Sequence, residues 1–152
     1  MTVKIRKVEI TEIQEIFEID KKEFEPMNYP LFVLKQYYDL FSDLFLVAEN
    51  ETNDILGYII GGINTDNNEG WVLSVATKTA YRGHGIGTQL CEALLNKFRV
   101  NCVLLTVHPD NFGAIHIYKK LGFKISERKE NYYGDNSPRN IMKLDKITNI
   151  KI

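Results

Sequence analysis

Cysteine, proline and tryptophan are scarce in this chain, at two, four and one among 152 residues. Two thiols, Cys91 and Cys102, cannot staple a small secreted scaffold. Neither stands at a metal-ligand spacing or beside a histidine cluster, so no metal site is expected and both are read as buried, reduced cysteines. No apolar run approaches the roughly 18 residues that a membrane span needs. The opening MTVKIRKVEI is too polar for a secretory leader, which gives the expectation of a cytoplasmic protein with no membrane partner. Charge of one sign is also missing: 19 Lys and Arg face 20 Asp and Glu, a formal balance of -1. No global field therefore favours nucleic acid. Internal repeats and low-complexity stretches are absent as well. What remains is ordinary for one globular domain, expected over residues 1–146, with 147–152 as a C-terminal tail.

The apolar pattern supplies the elements. Val3 to Val8 alternates as a strand, and Ile13, Ile16, Phe17 and Ile19 recur at helical spacing behind Thr11, a candidate cap. Pro26 and Pro30 bracket a loop before a second, aromatic-rich helix, Leu31 to Phe41, whose aromatic side chains are expected to pack in the core. Strands are predicted over Leu44–Glu49, Ile55–Ile63 and Trp71–Ala76, separated by polar turns. A helix from Ile86 to Phe98 is followed by a strand at Val103–Val107. A further helix, Asn111 to Leu121, ends at Gly122, a good left-handed cap. Phe123–Arg128 and Arg139–Leu144 close the pattern as an antiparallel pair. The order β-α-α-β-β-β-α-β-α-β-β predicts an α/β fold with one mixed sheet and helices on both faces.

The segment YRGHGIGTQL places Gly83, Gly85 and Gly87 against the start of a helix. Glycine lets main-chain amides turn toward a ligand that a β-carbon would keep away. A helix beginning there adds unpaired N–H groups and the positive end of its dipole, which together suit phosphate oxygens. Arg82 can add a charge-assisted contact, Thr88 a hydroxyl, and His84 faces the same group. A plain tight turn is the rival reading. Two familiar phosphate loops fail the test: Gly87-Thr88-Gln89 lacks the lysine of a Walker motif, and the glycine spacing is not that of a dinucleotide fingerprint.

Arg82, Gly85 and Gly87 do meet the pattern Arg-x-x-Gly-x-Gly. After the next strand come Val107-His108-Pro109-Asp110-Asn111, then Ala114, Ile115 and Tyr118, then Leu121-Gly122-Phe123. With both segments in order, the chain resembles the GCN5-related N-acetyltransferases along essentially its whole length. The resemblance implies their acyl-coenzyme A N-acyltransferase fold and acetyl-coenzyme A as co-substrate, its pyrophosphate at residues 82–88. It implies that Tyr118 protonates the departing thiolate and that Asn111 bonds the pantetheine arm. The strand holding Leu73 and Val75 is expected beside that arm, with Trp71 on the acceptor side. The position that often carries a glutamate or histidine in this family is Thr106, which cannot act as a base. His108 lies two residues on, and histidine titrates near neutrality. It is the candidate base, with an ordered water as the alternative.

Further stretches resemble the branch that acetylates protein N-termini: Asn28-Tyr29-Pro30, then Asn131-Tyr132-Tyr133-Gly134-Asp135, and Ile141-Met142. That resemblance implies that Tyr29, Tyr132 and Tyr133 contact the acceptor backbone. The expected activity is direct acetyl transfer to the α-amine of a protein or peptide, with possible ribosome or nascent-chain association, as monomer or homodimer. Met27, and the run Ser137-Pro138-Arg139-Asn140, depart from the pattern of that branch, so no first-residue preference carries over. One alternative is a small-molecule amine acetyltransferase of the polyamine type, with Glu23, Glu25 and Asp135 around the acceptor. Another is a non-catalytic acyl-coenzyme A sensor, against which Tyr118 argues.

Overall fold

The computed structural model describes residues 1–146, so the tail expected over 147–152 lies outside the described residues. The element order follows the prediction, with seven strands and four α-helices among the described residues in a mixed α/β arrangement. Two compact units divide the chain: residues 1–62 with 73–97, and residues 63–72 with 98 onward.

The first unit begins with β1 (Lys4–Lys7), α1 (Ile13–Phe24), α2 (Leu31–Phe41) and β2 (Phe45–Glu49). It continues with β3 (Ile55–Asn64) as far as Gly62, β4 (Glu69–Thr77) from Leu73, and α3 (Ile86–Lys97). β1 pairs antiparallel with β2, and β2 with β3, around the turn at residues 50–54. Asn50 Oδ1 closes that turn by accepting from the amides of Thr52 and Asp54 at 3.1 and 2.9 Å. All five residues of β2 are buried, which explains its continuous apolar run. Helix α1 contributes Ile13, Ile16 and Ile19 to a core shared with Leu34, Phe45, Val47, Tyr58 and Ile60. Tyr37 and Tyr38 of α2 pack against that core as expected, whereas Phe32 stays 66% exposed.

Thr11 does not cap α1. It lies inside a 3-10 turn, Ile10–Glu12, where the Glu12 carboxylate accepts the Glu9 amide at 2.8 Å. A capping box between Glu9 and Glu12 opens the helical turn two residues earlier, so Thr11 already lies inside it.

The second unit holds the first part of β4, β5 (Cys102–Val107), α4 (Phe112–Lys120), β6 (Lys124–Lys129) and β7 (Arg139–Asp145). Here β4 runs parallel to β5 through Glu69, Gly70 and Trp71. β7 is antiparallel to both β5 and β6, so the expected closing pair is present. Gly122 ends α4 at φ +103°, with the Phe123 amide donating to the Tyr118 carbonyl at 3.0 Å. This is the left-handed termination read from the sequence. Cys91 and Cys102 are both free and buried, and burial pushes the Cys91 thiol up to about 12.

Candidate active site

The glycine segment belongs to the first unit. A short 3-10 turn, Thr79–Tyr81, delivers the chain to Arg82, and α3 starts at Ile86. Gly83 and Gly85 take φ of +82° and +74°, values that L side chains rarely adopt. The helical ladder opens with the Gln89 amide donating to the Gly85 carbonyl at 3.0 Å, so the amides of residues 86–88 precede it. A β-carbon built on Gly83 or Gly85 would meet no atom within 4 Å, so both positions face open space beside the start of α3. Open space at the positive end of a helix leaves room for a diphosphate. His84 is exposed beside it, and Thr88 lies in the first turn of α3. The Arg82 guanidinium donates to the Glu23 carboxylate of α1, so a phosphate at this loop competes with Glu23 for that charge.

The same unit holds the loop between α1 and α2, which contains a cis Glu25–Pro26 peptide. Tyr29 leaves the loop half-buried, with its ring edge-on to Tyr37 at 5.2 Å between centroids. Its hydroxyl donates to the Leu73 carbonyl of β4 at 3.2 Å, which brings two predicted site residues together. Val75 follows two positions along, on the same side of the strand as Leu73.

Beneath Tyr29 lies a cluster that sequence reading missed. Asp20 is fully buried, and its Oδ2 accepts the Tyr29 amide at 2.7 Å. Its Oδ1 accepts from the Tyr58 hydroxyl and, at 3.3 Å, from Ser74 Oγ. Burial first, and then the Asp20 charge, raise the Tyr58 hydroxyl well above its ordinary value, so Tyr58 keeps its proton and donates.

The second unit carries the residues expected to handle the thioester. Asn111 is the N-cap of α4, where its Oδ1 accepts the Ala114 amide at 3.2 Å. Cap duty uses the carbonyl half of the carboxamide and leaves the NH₂ half as the donor for a ligand. Ile115 and Tyr118 share one buried face of that helix, and the Tyr118 ring stands 5.8 Å from Phe123. Trp71 pairs with Leu104 across the parallel strands.

His108 follows β5. Its Nδ1 accepts the Asp110 amide at 3.0 Å and lies 3.8 Å from the Asp110 carboxylate. Thr106, two residues back, is 2.7 Å from the Tyr133 hydroxyl. The loop between β6 and β7 is therefore tied to the strand position that often holds a base in the family. Tyr132 stacks edge-on against Tyr133 at 4.7 Å, with Lys129 over the former ring and Arg139 over the latter. Burial, then the neighbouring Tyr133, raise the Tyr132 hydroxyl above its ordinary value.

Residues 11–123 match the acetyltransferase (GNAT) family, and the chain belongs to that family. It is an N-acetyltransferase. An N-alpha-acetyltransferase of Sulfurisphaera tokodaii is 31% identical, over 91% of this chain and 90% of that one. A protein of the same name from Saccharolobus solfataricus is 28% identical, over 91% and 90%. The crystal structure of Ard1 from Thermoplasma volcanium superposes with a TM-score of 0.87 at 26% identity, covering 95% of this chain and 98% of that one. No helix among the described residues is long and apolar enough to cross a membrane.

Proposed function

We propose that this enzyme transfers the acetyl group of acetyl-coenzyme A directly to the N-terminal α-amine of a protein or peptide. The observation that carries the reading is the chain-long similarity to the two proteins named N-alpha-acetyltransferase. The fixed tyrosines add to it. Tyr29 and Tyr133 each have their hydroxyl tied to the sheet of their own unit, which holds rigid aromatic area ready for a peptide backbone.

Bound acetyl-coenzyme A supplies the acetyl group as a thioester, whose carbon–sulfur bond breaks as the carbon–nitrogen bond forms. The loop 82–88 binds the diphosphate through main-chain amides, with Arg82 exchanging Glu23 for phosphate. Asn111 orients the pantetheine arm with its NH₂ group, and the main chain at Leu73 and Val75 aligns it. Tyr118 Oη holds the proton that the leaving sulfur takes up. His108 takes the proton lost by the amine at Nδ1. Protonation ends that nitrogen's role as acceptor of the Asp110 amide and turns it toward the Asp110 carboxylate, 3.8 Å away, as an ion pair. The acceptor itself eases the task. An α-amine has an ordinary pKa of about 8, whereas a lysine lies at about 10.4.

A polyamine acceptor needs carboxylates left over for ammonium groups. Asp135 lies 3.6 Å from the Arg139 guanidinium, whereas Glu23 is held by Arg82 only until phosphate takes its place. One of the three acidic residues that favour that alternative is thus already neutralised by an arginine.

The test is acetylation of short peptides with free N-termini against the same peptides with blocked N-termini and internal lysine, and against polyamines. Products are mapped by mass spectrometry. Acetyl groups on α-amines alone support the reading, while modification only of polyamines or lysines overturns the acceptor and leaves the acetyltransferase standing.

A further inference from the structure

The loop carrying Tyr29 has a short main-chain framework of its own. Its bonds run from the Glu25 amide to Lys21 and from the Met27 amide to Phe24, both at its α1 end. At the other end the amide of Tyr29 turns inward to Asp20, nine residues back on α1. Taking a carboxylate fully out of water costs several kcal/mol unless its oxygens find donors, about the largest penalty a short polar side chain can bring to a core. Here the donors come from three separate elements: the loop through Tyr29, β3 through Tyr58, and β4 through Ser74.

Tyr58 gives its hydroxyl proton to Asp20 Oδ1, and the single Ser74 proton is shared between Tyr58 Oη at 2.9 Å and Asp20 Oδ1 at 3.3 Å. Oδ2 is left to the Tyr29 amide. Two atoms of one side chain thereby couple the height of the loop to the strands behind it. Tyr29 is then held at its amide by Asp20, at its ring by Tyr37 and at its hydroxyl by Leu73.

We propose that Asp20 is a positioning residue for acetyl transfer, fixing through the Tyr29 amide where the Tyr29 side chain meets the acceptor peptide. This rests on the reading of Tyr29 as an acceptor contact. Asp20 touches neither substrate; its effect passes entirely through the loop.

The experiment compares steady-state kinetics of the full chain with those of Asp20→Leu and Asp20→Asn. A leucine of similar shape offers no acceptor, so Asp20→Leu is expected to raise the peptide KM about tenfold or more, the loss due to one hydrogen bond to a carboxylate. The kcat should change far less, and acetyl-coenzyme A affinity by calorimetry should hold. In Asp20→Asn the carboxamide oxygen can face the Tyr29 amide while its NH₂ donates to the Tyr58 oxygen, whose proton turns to Ser74. The KM should then lie close to the native value. A role confined to stability predicts no KM loss that asparagine reverses.

A native KM in Asp20→Leu overturns the proposal, as does a KM loss that Asp20→Asn keeps in full. If Asp20→Leu does not fold, amide exchange in the native protein decides. A Tyr29 amide protected like Ile59 of β3 supports the anchor, and one exchanging as fast as Asn28 overturns it. A native enzyme that acetylates polyamines but no peptide withdraws the acceptor reading instead, whatever the exchange at Tyr29.

Discussion

Thr106 Oγ1 and Tyr133 Oη stand 2.7 Å apart, joining β5 to the loop between β6 and β7. The contact ties a loop that contains left-handed residues at Asn131, Gly134 and Asn136. Thr106→Val and Tyr133→Phe are each expected to raise the peptide KM several-fold. Because both remove the same hydrogen bond, the double variant should be little worse than either single one. A coupling of about 1 kcal/mol in the double-mutant cycle is the expected value. Strictly additive losses would show that the two hydroxyls act on the substrate separately.

Tyr118→Phe keeps the ring against Phe123 and removes only the phenolic proton. Its kcat should fall by about 10²-fold or more, the usual loss when a general acid is removed. Acetyl-coenzyme A affinity and melting temperature should stay close to those of the native enzyme. A kcat equal to the native value would take the proton-donor role away from this residue.

His108→Ala is expected to lower kcat by about 10²-fold, and Asp110→Asn by less, since the aspartate only receives the imidazolium. The alkaline limb of the pH–rate profile should remain in both, where the acceptor amine is already deprotonated. An unchanged kcat across the whole profile of His108→Ala would hand the proton to solvent.

The sequence displays the element order because apolar periodicity survives in the helices and in the strands other than β6, whose six residues are all exposed, and the paired glycine and Asn111-to-Tyr118 segments are contiguous. The Asp20 cluster is different in kind. Its partners Tyr58 and Ser74 lie 38 and 54 residues away, and Tyr58 hides in the apolar run of β3. One signal was available. Ile13, Ile16, Phe17 and Asp20 share helical spacing, which puts a carboxylate on the buried face of α1. The Thr106–Tyr133 contact, 27 residues apart, had no comparable trace, because hairpin geometry brings the two hydroxyls together. Thr11 misled for a local reason: Glu9 and Glu12 open the turn ahead of it, and capping preference alone does not weigh an earlier start.

Glu12 gives a pH dependence of known sign. Its carboxylate takes a two-pronged contact from Arg6 at 2.9 and 2.7 Å, and Arg6 also reaches Glu49 at 3.0 Å. The Arg6 hydrogen bond, aided by the Glu9 amide and opposed by burial, holds the Glu12 carboxyl below its ordinary value. A carboxyl depressed on folding stabilises the native state above its unfolded pKa, and that contribution is lost as pH falls through the folded one. Glu12→Gln should therefore cost on the order of 1 kcal/mol at pH 7, allowing for solvent screening. The difference from native should shrink once the pH drops below about 4.3. Urea unfolding across that range checks it, and a constant gap would mean the carboxylate charge is not involved.

Gly85→Ala separates the two things a glycine can provide. At φ +74° an alanine is strained by roughly 1–2 kcal/mol, although its β-carbon meets no protein atom within 4 Å. The protein should therefore still fold, with a lowered melting temperature. A diphosphate held by the neighbouring amides would compete with the methyl group for that open space, so acetyl-coenzyme A affinity should fall by more than the strain alone suggests. Gly113→Ala is the control. That glycine lies inside α4 with open space around it and no positive φ, so alanine there should leave stability unchanged or improve it by up to about 1 kcal/mol. Calorimetric binding to both variants reads the contrast directly. If Gly85→Ala bound acetyl-coenzyme A as tightly as the native chain, the diphosphate would have to sit elsewhere than at residues 82–88.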